Sequence, residues 1–299
     1  MAPLPFLVAA PLRKKMEPNQ PSPISSPIVD AAGVVHRPAG GGFRIVSLVP
    51  SITELLFDLD LGEAVVGRTA FCVHPRNRVK AAKSVGGTKQ VNFEKLKRLS
   101  PTHVIVNVDE TPRELAEEMT RLGYQVVVTH PIDVRDNLEL YRLIGRLFSR
   151  EDKADALCAQ FETAYETLTT NARRLAERWV LYLIWKDPWM TVSRDTYISR
   201  MLALARWQTI DMPGDARYPT LELTNDLLSK VDLVLFSSEP FPFKEHHLES
   251  FRADFADHAA KATMIDAEMV SWYGSRAISG LAYLADFARS RRQSSSNSP

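Results

Sequence analysis

The chain has 299 residues, 45% hydrophobic and 24% charged, a composition that supports a folded core and excludes extended disorder. Its 37 Lys and Arg nearly cancel its 36 Asp and Glu, so no net field draws it to nucleic acid or to an anionic bilayer. Two cysteines, Cys72 and Cys158, are too few for a disulfide scaffold, and no run reaches the roughly 18 apolar residues of a membrane span.

Residues 1–42 hold eight of the 19 prolines and the run Gly40-Gly41-Gly42, a composition that predicts a mobile tail, with a small hairpin over 28–35 turning at Gly33. The apolar stretch Ala2 to Leu12 precedes Arg13, Lys14 and Lys15, the reverse of a secretory leader's order. As written the chain therefore reads as cytoplasmic; a mis-assigned start would make it periplasmic. The body begins at Phe43. A strand is predicted over 45–49, and Ser51-Ile52-Thr53-Glu54 has the pattern of a capping box opening a helix that ends near Gly62. Strands at 65–67, 103–107 and 125–129 then alternate with helices at 92–99 and from Pro112 to Gly123. This alternation predicts a parallel α/β lobe over 43–148.

A helix over 135–148 is followed by a run from 151 to about 178 with no internal Gly or Pro, long enough for a helix of about 40 Å. It is read as a strut, 149–178, between two lobes. The second lobe, 179–289, restarts the alternation with strands at 180–185, 233–236 and 264–265 and helices at 196–205, 224–228 and 275–288. Residues 290–299 are polar and are expected to fray. Residues 96–106 and 227–235 each run from a helix end into a buried strand, an echo compatible either with duplication or with any two αβ joints. The expected fold is thus α/β: two Rossmann-like lobes joined by one long rigid helix, with a ligand cleft between them.

All five tryptophans follow residue 178. Trp185, Trp189 and Trp272 fall at strand ends or in loops, where ring faces can stack on an extended planar ligand; Trp179 and Trp207 are read as core. Cys72 and His74, two apart on an extended loop, could reach one soft or borderline metal, or could be a buried thiol and a loop-bonded imidazole. Glu239 sits just past a strand, where cleft residues gather, or is a solvated loop carboxylate. Gly86-Gly87-Thr88-Lys89 lacks the order of a phosphate loop, and Ser51 has no nucleophile elbow around it. No catalytic constellation and no catalytic cofactor are expected.

Arg44-Ile45-Val46-Ser47-Leu48-Val49-Pro50-Ser51-Ile52-Thr53-Glu54, Val85-Gly86-Gly87-Thr88 and Ser271-Trp272-Tyr273-Gly274-Ser275-Arg276 carry a pattern that resembles the substrate-binding proteins of ABC importers for cobalamin and iron complexes. The likeness covers about residues 43–288. With Phe71-Cys72-Val73-His74-Pro75 and Trp185-Lys186-Asp187-Pro188-Trp189-Met190, it is most similar to the branch labelled cobalamin-binding or helical-backbone metal receptor. The resemblance implies a monomer that binds a corrinoid or related metal chelate without chemistry and delivers it to an ABC permease. It places pocket positions on Phe71, Thr88, Asn107, Trp185, Trp189, Tyr218 and Trp272, where Thr88 and Asn107 depart from the aromatics of some members. His74 would be an axial ligand to the bound metal, with Tyr273 as a rival oxygen donor. Transporter docking through one carboxylate per lobe falls on Glu94 and, because Thr224 stands at the matching place, on Glu222 or Asp226. The missing leader and Thr224 together raise the alternative of a cytoplasmic corrinoid, haem or metal carrier or sensor. A chelatase-like enzyme rests on fold analogy alone.

Overall fold

The computed structural model describes residues 27–296, with side chains to 291; the tail expected over 1–26 and the last three residues lie outside the described residues. Residues 27–42 differ from the mobile tail suggested by their composition. β1 (Ile28–Val29) and β2 (Val35–His36) pair antiparallel around Gly33, whose φ of 77° needs the freedom of glycine. The hairpin is tied down because Asp30 accepts from the backbone N–H groups of Ala32, Val34 and Val128, at 2.9–3.0 Å, and meets His36 Nε2 at 2.9 Å. These partners offset the cost of burying the carboxylate.

The first sheet is built from β3 (Ile45–Ser47), β4 (Val65–Arg68), β5 (Lys83–Ser84), β6 (His103–Asn107) and β7 (Gln125–Thr129) in the order β5-β4-β3-β6-β7, every pair parallel. α1 (Pro50–Asp58) follows β3, α2 (Phe93–Leu99) precedes β6, and α3 (Arg113–Arg121) and α4 (Asp136–Leu147) flank β7. α1 opens without the expected capping box: Pro50, with its preset φ, starts the helix at its first turn, so Ser51 is inside it and Val49, which has no capping side chain, stands at the cap.

α5 (Glu151–Ala172) is the long helix, 22 residues or about 33 Å rather than the predicted 40 Å. It stops early because Arg178 is already the first residue of β8 (Arg178–Leu183), and residues 173–177 turn the chain onto that strand. The second sheet adds β9 (Trp207–Thr209), β10 (Leu233–Ser237) and β11 (Ala262–Ile265) in the parallel order β11-β10-β8-β9. α6 (Tyr197–Leu204), α7 (Asn225–Ser229), α8 (Glu245–Asp254), α9 (Ala267–Ser271) and α10 (Arg276–Ser296) complete the chain; α10 continues through residues 290–296, which the sequence suggested would fray.

The two sheets repeat one connectivity. Strands β4-β3-β6-β7 of the first correspond in order and direction to β9-β8-β10-β11 of the second, with α1, α2 and α3 matched by α6, α7 and α8. Each sheet has one face on a private core, Val46, Leu48 and Val104 in the first and Leu181, Val234 and Phe236 in the second. The other faces share a single cluster that runs from Ile45 and Ile105 through Tyr141 of α4 and Phe161 and Leu168 of α5 to Tyr182 and Leu281 of α10. α5 packs on both α4 and α10, so the strut is part of a core common to both lobes. No helix among the described residues is long and apolar enough to cross a membrane.

Candidate functional site

In open parallel sheets, ligands bind beyond the carboxyl ends of the strands, and here both sets of ends converge. Beyond the shared core, a set of polar contacts joins the lobes at or near those ends. Glu110, after β6, accepts a 2.7 Å hydrogen bond from the Tyr273 hydroxyl, after α9. Asp109 pairs with Arg217, in the segment between β9 and α7. His74, past β4, meets Glu268 of α9 at 3.0 Å, and Arg276 clasps Glu54 of α1 with two bonds of 2.7 and 2.5 Å.

The same loops leave large apolar side chains open to solvent. Phe71 is 62% exposed and Val73 47% past β4, and Val108 is 50% exposed past β6. On the other lobe Trp185 (40%) follows β8 and Tyr218 (39%) follows β9. Exposed aromatics gathered at the ends of two facing sheets are the kind of surface that takes an extended ring system. Trp185 is steadied edge-on by Phe241 at 5.5 Å, and Arg217 lies over Tyr218 at 5.9 Å. Phe71 and Thr88 share a groove of about 720 Å³ with Gly86, Gly87, Lys89 and Gln90.

Behind these rings is a polar wall. Trp272 is buried, with Arg276 at 5.2 Å over its ring and the His74 ring edge-on at 5.6 Å, and its Nε1 donates to Glu239 Oε1 at 2.6 Å. Burial, with the charges of Glu239 and Asp109, pushes the Glu110 carboxyl up to about 7 despite the Tyr273 bond. Burial also raises Glu239 and drives the Tyr273 phenol well above its ordinary range. Gly274 fixes the turn after Tyr273: its φ is 78°, its N–H donates to Asn137 Oδ1 at 2.7 Å, and its carbonyl accepts from the Tyr141 hydroxyl at 2.8 Å.

Several expected site residues sit elsewhere. Asn107 is buried and both ends of its amide are engaged, Oδ1 by the Asp109 N–H at 2.8 Å and Nδ2 on the Thr129 carbonyl at 3.0 Å, so it shapes the Asp109–Glu110 loop. Trp189 stacks on Phe243 at 6.0 Å and packs on the private core of the second lobe; its outer groove holds Glu222, Leu223 and His247. Cys72 is wholly buried, its Sγ within 3.0 Å of Thr53 Oγ1 and 3.1 Å of Thr69 Oγ1, and burial pushes its thiol up, which disfavours the metal-binding thiolate. His74 is held by Glu268 on the opposite lobe. No group of three or more His, Cys, Asp or Glu suited to a metal occurs among the described residues. Trp207 is in the core, whereas Trp179, expected there, is 42% exposed with Arg194 over its ring.

Glu94 is exposed in the first turn of α2, and Glu222 is exposed just ahead of α7, the element matching α2 in the other lobe. Asn92 caps α2 and Thr224 caps α7, accepting from Lys95 N–H and Leu227 N–H. Composition and periodicity do not single out Glu54, Arg217, Glu268 or Arg276. For Glu110 a signal existed: it lies three residues past β6, as Glu239 lies two past the equivalent β10.

A family model described as "Periplasmic binding protein" matches residues 45–260. The "Uncharacterized ABC transporter substrate-binding lipoprotein YvrC" of Bacillus subtilis is 29% identical over 168 residues, 53% of this chain and 52% of that one, so the match spans about half of that relative's length. Among solved structures, the periplasmic Vitamin B12 binding protein BtuF of Vibrio cholerae superposes with a TM-score of 0.73 at 17% identity, over 83% of this chain and 97% of the other. The periplasmic heme-binding protein RhuT from Roseiflexus sp. RS-1 gives 0.71 at 23%, over 83% and 100%. At these identities the likeness is one of fold.

Proposed function

Since the chain belongs to the periplasmic binding protein family, and is thus a binding protein rather than an enzyme, we propose that it captures a corrinoid or related metal chelate between its lobes for ABC-type import. The observation that carries this reading is the set of exposed rings, Phe71, Trp185 and Tyr218, at the facing ends of two parallel sheets around a polar wall. Planar macrocycle faces stack on such rings, while side arms reach the hydrogen-bonding groups of the wall. Relatives in fold named for vitamin B12 and for heme support a tetrapyrrole-like guest of either kind. His74 Nε2 meets Glu268 and the Tyr273 hydroxyl donates to Glu110, each across to the opposite lobe, so ligation of a metal through His74 Nε2 would require its contact to break.

Titration of the purified chain with cobalamin, haem and a ferric hydroxamate, read by visible-spectrum shifts, tests the proposal; no shift with any of the three refutes it. Trp185→Ala is expected to weaken binding by ~1 kcal/mol or more, the value of one aromatic contact, whereas Trp189→Ala should cost stability of the second lobe and leave affinity nearly unchanged.

Docking on a permease is proposed through Glu94 and Glu222. Thr224, which spends its hydroxyl as the α7 cap where the resemblance expects a carboxylate, favours a second reading: a carrier that does not dock. Uptake that survives Glu94→Lys with Glu222→Lys would decide for that reading.

A further inference from the structure

Glu110 and Glu239 occupy equivalent places in the repeated connectivity, in the loops that follow β6 and β10, the strands matched between the two sheets. They are pinned to consecutive residues, Glu110 Oε1 to the Tyr273 hydroxyl at 2.7 Å and Glu239 Oε1 to Trp272 Nε1 at 2.6 Å. Each is only partly buried, and the Oε2 of each has no protein donor among the described residues. The wall thus presents two acceptor oxygens, one from each lobe, still open to a donor.

The basic side chains around them are already engaged. Arg276 is held by Glu54 and, at 3.3 Å, by Glu268; Arg217 is held by Asp109; His74 is held by Glu268. The remaining neighbours add negative charge, Asp109 beside Glu110 and Glu268 and Asp266 around Glu239. A guest's side arm meets unfilled acceptors and a surplus of carboxylate, with no unpaired cation on this wall among the described residues. Within a low-dielectric cleft, like charge discriminates more strongly than it does in water.

We infer that Glu110 and Glu239 are specificity determinants of the cleft, admitting chelates whose side arms donate hydrogen bonds, as primary amides do, and turning away chelates whose side arms are ionised carboxylates. This rests on the reading of the cleft as a chelate site and adds to it the chemistry of the arms. A primary amide fills one Oε2 with an N–H, whereas a carboxylate there would leave both partners without a proton to share.

Two corrinoids with one ring and different arms separate arm from ring: dicyanocobinamide, whose arms are amides, and dicyanocobyrinic acid, whose arms are carboxylates. Spectral titration of the full chain at pH 8, where Glu110 is largely ionised, is expected to give at least ~10-fold tighter binding of the amide form. Glu110→Gln and Glu239→Gln should each reduce that ratio at least ~3-fold, and Glu110→Asp, which keeps the charge, should preserve it. A loss of fold would weaken both ligands together and leave the ratio in place, so the ratio is insensitive to merely structural damage. Equal affinity for the two forms in the unmodified chain, or a ratio unmoved by both Gln variants, overturns the inference while leaving the chelate site intact. Binding of neither corrinoid, nor of haem or a ferric hydroxamate, removes the chelate reading itself and this inference with it.

Discussion

The Tyr273–Glu110 hydrogen bond joins the lobes through a carboxyl that titrates in the physiological range. Its value of about 7 in the fold lies above the ordinary 4.5, so the folded state binds the proton more tightly than the unfolded chain. The resulting stabilisation is complete below about pH 4.5 and is lost as pH rises through about 7. The melting temperature of the unmodified chain, relative to Glu110→Gln, should therefore fall between pH 5 and pH 8; thermal denaturation at the two pH values with an unchanged difference would contradict the assignment. At Gly274, alanine would have to hold a φ of 78° and place its Cβ 3.2 Å from the Ser51 carbonyl. Gly274→Ala is expected to lose ~1–2 kcal/mol in urea unfolding. At this scale the sequence was legible in part. Exposed loop aromatics such as Trp185 could be placed from the strand ends that precede them. Asn107 and Trp189 could not, because periodicity does not say whether a polar amide is engaged by its own loop or on which side of a turn an indole packs.

Buried β-branched runs are read well because a parallel strand covered on both faces has few alternatives: 103–107 and 125–129 are strands over those same residues. β9 and α9, three and five residues long, carry too little pattern to be seen and exist because their neighbours hold them. α9 is held unusually closely. Gly280 of α10 lies so near it that an added Cβ would stand 2.1 Å from the Met269 carbonyl oxygen. Because α9 carries Glu268 and leads directly into Trp272 and Tyr273, Gly280→Ala should displace the polar wall, with a loss of ~1–3 kcal/mol in stability and weaker ligand binding. Unchanged affinity in that variant would show that the wall moves independently of α10.

The two lobes share one core, and across the cleft they are clasped by Arg276. With its partner Glu54 it is only 12% and 16% exposed, so this pair is more strongly felt than a surface salt bridge. Arg276→Met would leave Glu54 and Glu268 without their common counter-charge; a loss on the order of 2 kcal/mol is expected, with an increased radius of gyration in small-angle scattering as the lobes part. An unchanged radius would mean that the shared core along α4, α5 and α10 alone fixes their separation. The two-lobe plan with a helical strut could be anticipated from the alternation of elements and the long Gly- and Pro-free run. The charged clasp could not, because Glu54 and Arg276 are 222 positions apart and nothing local in either segment announces the other.

The Asp30 hairpin has a consequence for how the molecule behaves in company. β7 is the last strand of its sheet, and its outer edge would present the backbone groups of Val126 and Val128, a template on which another chain could add a strand. Residues 30 and 31 occupy that side at Val128: the Ala31 N–H donates to its carbonyl and Asp30 accepts from its N–H, both at 3.0 Å. The proline-rich stretch therefore ends in a guard against self-association, and a chain shortened to begin at Phe43 should keep its two lobes yet form concentration-dependent oligomers that size-exclusion chromatography resolves.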